Sequence, residues 1–153
     1  MSSPPLRLRR LTAGERDLAD EVFGSALDAA RVRIFAVPFW SRAFVAGPGL
    51  IVWPARTLPA DVSAAPLRTQ AVFVHELTHV WQAQRGVRLL LAKIKAGDGA
   101  AAYAYDLTEM AFEAMNIEQQ ASVVEHAFLA ARGGQTPHPA ALYAALDPTW
   151  RRA

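Results

Sequence analysis

The sequence predicts an α+β domain, mostly helical, with a small antiparallel β-sheet packed on one buried central helix. Three observations carry that expectation. Residues 66–85 place Val72, Phe73, Val74, Leu77, Val80 and Trp81 around most of a helical circumference, and a helix apolar nearly all round belongs inside the protein. Ahead of it, short runs with strand periodicity flank a Gly47-Pro48-Gly49 turn. Behind it, helical patterns are punctuated by Gly86, Gly97-Asp98-Gly99 and Gly133-Gly134.

The composition is that of a globular chain. Its 153 residues are 52% hydrophobic and 20% charged, enough to bury a core and against disorder along the whole length. With no cysteine there is no disulfide framework, no thiolate nucleophile and no sulfur-ligated metal, so any metal must be held by His and carboxylate. The net charge of +2 comes largely from Arg7, Arg9, Arg10, Arg151 and Arg152, which read as solvated ends. No aromatic-interleaved basic stripe accompanies them, so a nucleic-acid partner is not expected. The longest uncharged run, Ala43 to Ala55, is broken by Pro48 and Pro54 and is too short to span a bilayer. The N-terminus lacks the apolar core of a signal peptide, which leads to the expectation of a cytoplasmic protein, with export through a secretion system compatible.

Taken in order, residues 1–10 read as a flexible arm and 11–153 as a single domain. Thr12 with Glu15 forms a capping-box pattern opening a helix that stops at Gly24. Arg31 to Phe35 alternates charged and apolar residues, the period of a half-buried strand. Ala43–Ala46 and Leu50–Trp53 form two further strands, and Pro66 suits the start of the central helix, which ends at Arg85 before Gly86. Val87 to Ala96 reads as a helix with Leu90, Leu91 and Ile94 inward. Asp106 and Glu109 mark the N-terminus of a long helix to Arg132, and a short helix follows near 139–146.

The chemistry concentrates in His75-Glu76-Leu77-Thr78-His79. Two histidines four apart lie about 40° apart around a helix, so both rings can reach one ion, and Glu76 is placed to work on a water. A catalytic zinc needs a third protein ligand and an open position. At about 100° per residue, Leu107, Met110, Ala111, Ala114, Ala121, Phe128 and Leu129 share one direction, the core face, with Glu109 and Glu113 opposite. Glu118 and Glu125 fall within about 20° of that core direction, where an unpartnered carboxylate is costly. The small neighbours Ala111, Ala114, Ala121 and Ser122 allow close helix approach, so Glu118 is the expected third ligand. Glu125 is the runner-up, or a partner to a metal-binding His or to an Arg.

The segments Val32-Arg33-Ile34, Leu50-Ile51-Val52-Trp53, Phe73 to Gln82 and Asn116-Ile117-Glu118-Gln119-Gln120-Ala121 resemble those of bacterial Vgr-related proteins, similar to the HExxH metallopeptidase domain encoded with contractile injection and toxin systems. The resemblance spans roughly residues 11–130. It implies a zincin-like fold of the gluzincin class, in which the third ligand lies in a Glu-x-x-Ala helix, as Glu118-Gln119-Gln120-Ala121 does. It further implies an edge strand at Leu50 to Trp53 that lays out a peptide or protein substrate. The expected function is a zinc-dependent metallopeptidase with metal ligands His75, His79 and Glu118, Glu76 activating a zinc-bound water, and Tyr103, Tyr105 or His126 supplying an oxyanion donor. The alternative is a catalytically weak or inactive metal-binding module acting as an accessory or interaction domain of a secretion or toxin system.

Overall fold

The computed structural model describes residues 6–152 and is α+β, about half helical with one four-stranded sheet. The chain runs β1 (Arg7–Arg10), α1 (Ala13–Phe23), β2 (Arg33–Val37), β3 (Phe44–Val45), β4 (Leu50–Pro54), α2 (Leu67–Gln84), α3 (Leu89–Ala96), α4 (Ala100–Tyr103), α5 (Ile117–Ala130) and α6 (Ala140–Ala144). The sheet order is β1-β2-β4-β3.

The sheet is mixed rather than antiparallel. β1 pairs antiparallel with β2 and β3 with β4, but β2 and β4 run parallel, with Ile34 opposite Ile51. The physical reason lies in the apolar content of the strands. β4 buries four of its five residues and takes an interior position, whereas the short β3 stays at the edge. Two chain reversals return β4 to the direction of β2, so placing them side by side makes the pair parallel. The edge strand beyond β4 is therefore β3, and Leu50 to Trp53 is not an edge.

The expected arm is partly ordered, since Arg7–Arg10 forms β1; residues 1–5 lie outside the described residues. Arg9 is no solvated end. Its guanidinium grips Glu15 through two 2.8 Å contacts, and the fully buried Glu15 carboxylate also accepts from the Thr12 and Val62 backbone N–H groups. Burial alone would raise the Glu15 pKa; the Arg9 contact and these backbone donors bring it below its ordinary value. The Thr12–Glu15 capping box forms as the sequence predicts.

Helix α2 fills the centre, with Phe73, Val74, Leu77 and Val80 wholly buried, and ends where Gly86 adopts φ 93°. It packs against β4 on one side and α5 on the other. The anticipated long helix 106–132 does not form. Asp106 instead caps its own turn, accepting from Thr108 N at 2.8 Å, and α5 begins at a reciprocal Asn116–Gln119 capping box. Ala111 and Ala114 are consequently exposed, while Phe112 and Met115 enter the core in their place. Helix α3 also departs from expectation, because Leu90, Leu91 and Ile94 face outward at 75%, 58% and 72% exposure. Its inward face carries Leu89, Ala92, Lys93 and Ala96, turned by the ion pair that Lys93 makes with a carboxylate on α5.

Candidate metal centre

The apolar circumference of α2 holds its polar exceptions on the face toward α5, one turn apart. His75 and His79 point their Nε2 atoms at Glu118 of α5, at 3.3 and 3.4 Å from Glu118 Oε2, and the His75 and His79 ring centroids lie 5.0 Å apart. One ligand atom from each of the three residues falls within 4.8 Å of the others, so the group can hold a metal ion. Two atoms each about 2.0–2.1 Å from a tetrahedral zinc are about 3.3–3.4 Å apart, whereas a charged hydrogen bond shortens to about 2.7–2.9 Å. The observed spacing fits a shared ion. A second sign of fit is Glu76, a buried side chain whose Oε2 has no hydrogen-bond partner among the described residues.

Each candidate ligand is held from behind. His75 Nδ1 lies 2.8 Å from Glu125 Oε2, so Glu125 takes the orienting place that the sequence left open to it. His79 Nδ1 lies 2.8 Å from Gln82 Oε1, and Gln82 Nε2 in turn donates to the Ile117 carbonyl and to Gln120 Oε1, both at 3.0 Å. Lys93 Nζ donates to Glu118 Oε1 at 2.9 Å, leaving Oε2 to face the histidines, and also to Tyr103 Oη at 2.9 Å. Sequence reasoning assigned no role to Gln82 or Lys93. Gln82 had a legible signal, standing three residues after His79 on the same helical face. Lys93 had none, since its pairing depends on how α3 rolls against α5.

Electrostatics follow from this enclosure. Burial by itself would lower the His75 pKa, but Glu118 and Glu125 override it and raise it to about 10. Burial would raise Glu118, yet His75, His79 and Lys93 hold it well below the usual carboxylate range. Glu76 is pushed up by burial, only partly offset by the two histidines. Lys93, whose burial works the other way, is raised by Tyr103 and Glu118.

The cluster lies on the floor of a cleft of about 1110 Å³, walled by the β2–β3 loop and β3 on one side and by the start of α3 on the other. Tyr103 lines it. Tyr105 and His126 do not: the Tyr105 hydroxyl sits 2.6 Å from His126 Nδ1 and 2.5 Å from the Tyr143 hydroxyl in a separate aromatic cluster.

Fold and site together define an α+β domain with a His-His-Glu cluster able to hold a metal at the base of an open cleft. No family model matches the chain. It is 37% identical over 134 residues to the type VI secretion system spike protein VgrG2b of Pseudomonas aeruginosa, an alignment covering 79% of this chain and 13% of that protein. The chain thus spans a small part of the curated relative it matches. It also resembles the solved effector domain of Pseudomonas aeruginosa VgrG2b, with a TM-score of 0.67 and 37% identity over 81% of this chain and 75% of that one. The chain belongs to the family of the VgrG2b effector domain. Among the described residues no helix is long and apolar enough to cross a membrane.

Proposed function

We propose that this chain is a zinc-dependent metallopeptidase of the gluzincin type, a zincin-like domain serving as an effector within a secretion-system assembly. The observation that supports it best is the meeting of His75 Nε2, His79 Nε2 and Glu118 Oε2 beside the partnerless Oε2 of Glu76, in a cleft open to a polymer. A structural metal site has no use for such a base. Zinc, when bound, supplies Lewis acidity toward water and toward a carbonyl.

The chain's own groups do the rest. Glu76, its affinity for a proton raised by burial, accepts one from the attacking water and passes it to the leaving amine. Glu125 and Gln82 hold the two imidazoles so that Nε2 of each faces the centre, and Lys93 restrains Glu118 to one oxygen. The edge of β3 lines the cleft and offers backbone groups to an extended peptide. Of the three candidate oxyanion donors, Tyr103 is the one on the cleft. Its oxygen accepts from the Lys93 ammonium, which leaves the phenolic proton to donate to substrate.

Glu76→Gln tests the reading. Elemental analysis should find the metal content of the wild type, while hydrolysis of an unfolded protein substrate falls by about 10²–10⁴-fold. Equal turnover by both forms, or no turnover by the zinc-loaded wild type, overturns it.

A further inference from the structure

The walls of the cleft differ in character from its floor. On the floor Glu118 is committed to the histidines and Lys93 and Glu125 to His75, while the buried Glu76 keeps Oε2 free of a hydrogen-bond partner among the described residues. The walls are apolar and cationic. Trp40 and Phe44 pack with tilted rings, centroids 5.4 Å apart, on the β2–β3 side yet remain 53% and 40% exposed, and Val72, Val87 and Leu90 line the same cleft. Large apolar side chains left open around a cleft signal a ligand that covers them. Arg42, Arg68 and Arg88 line the same cleft, and among the described residues none of the three side chains makes an ion pair or hydrogen bond. The remaining carboxylate among the lining residues, Asp98, lies 3.6 Å from Lys93.

From this juxtaposition we infer that the cleft selects peptide segments combining bulky apolar side chains with acidic ones. The identity of the occupant as a peptide rests on the peptidase reading; its composition rests on the walls. The cleft is large enough for several residues, since drug-sized ligands fill about 300–1,000 Å³. Register follows from α2. Arg68 precedes His75 by seven residues, about 10 Å along a helix, and an extended chain advances about 3.3 Å per residue. An acidic side chain about three residues from the scissile bond therefore meets Arg68, with an apolar one over Val72 between them.

Zinc-loaded Glu76→Gln protein, which binds without turning over, tests this with three fluorescent decapeptides: alternating Phe and Glu, the same with Lys for Glu, and the same with Ser for Phe. Anisotropy should show the Phe/Glu peptide binding about tenfold tighter than either other. Its advantage over the Lys peptide should shrink with added salt and in Arg68→Ala, and its advantage over the Ser peptide should shrink in Trp40→Ala. Both residues are exposed, so folding is not at stake. Equal binding of the Lys peptide overturns the inference, as does binding to phosphatidylglycerol vesicles in place of any peptide. Parallel hydrolysis by the wild type separates the two readings: selective binding without cleavage sinks the peptidase and keeps the selectivity, and cleavage of all three alike does the reverse.

Discussion

Glu125 Oε2 stands 2.8 Å from His75 Nδ1, on the opposite side of the ring from Glu118, so one imidazole is clasped between two carboxylates of the same helix. Seven residues separate those carboxylates on α5, two helical turns, which is what allows one to face the metal position and the other to steady the ring from behind. In the metal-free protein the two carboxylates favour the doubly protonated ring, holding the His75 pKa above its ordinary value. Nε2 is the atom that would hold an ion, losing its proton, while Glu125 would keep the proton on Nδ1.

Glu125→Gln should therefore bind zinc about 10–100-fold more weakly than the wild type, with an unchanged circular-dichroism spectrum. Competition against a chelator of known affinity measures it. Wild-type affinity in the variant would show that the carboxylate does not orient the ring.

Glu118→Ala removes the carboxylate that, among the described residues, lies within 4 Å of Nε2 of both histidines. Elemental analysis after dialysis should find the metal lost, in contrast to Glu76→Gln. Full retention by Glu118→Ala would dissociate the cluster from metal binding.

The metal-free protein should be most resistant to urea between about pH 4.5 and 6.5. His75 rises from 6.5 to about 10 on folding, so its contribution is complete below pH 6.5 and disappears as pH climbs toward 10. Glu76, also raised, loses its contribution in the same direction from 4.5 upward. Glu118 is lowered, so its contribution is present above 4.5 and fades as pH falls. A urea midpoint that stays level or increases from pH 6.5 to 10 contradicts the carboxylate clasp around His75.

Gln82→Leu should cost about 2 kcal/mol in urea unfolding, because it strands the Ile117 carbonyl and His79 Nδ1 inside the protein. A change below a few tenths of a kcal/mol would mean that neighbouring groups re-pair.

Arg9→Ala should cost about 3 kcal/mol, since it leaves the buried Glu15 carboxylate without its cation. The double variant Arg9→Ala with Glu15→Gln should recover part of that loss. A neutral Arg9→Ala would return β1 to the role of a dispensable end.

By itself the sequence determined the α+β class, the buried helix α2 with its stop at Gly86, the Thr12–Glu15 cap, and the convergence of His75, His79 and Glu118. These are written in periodicities of one chain segment: four residues between histidines, three between cap partners, and a glutamate in phase with small residues on a helix face. Even with the start of α5 expected ten residues too early, the phase of Glu118 and Glu125 relative to Ala121 and Phe128 was preserved, because phase within a helix does not depend on where the helix begins. Only the tertiary structure decided that β4 lies inside the sheet beside β2, that Lys93 rather than Leu90 and Ile94 turns inward, that Gln82 and Glu125 brace the histidines, and that Tyr103 rather than Tyr105 or His126 reaches the cleft. Those choices depend on which elements face one another across the core, where a buried carboxylate's need for a cation outweighs the apolar stripe of a short helix, and no local pattern in the chain encodes that balance.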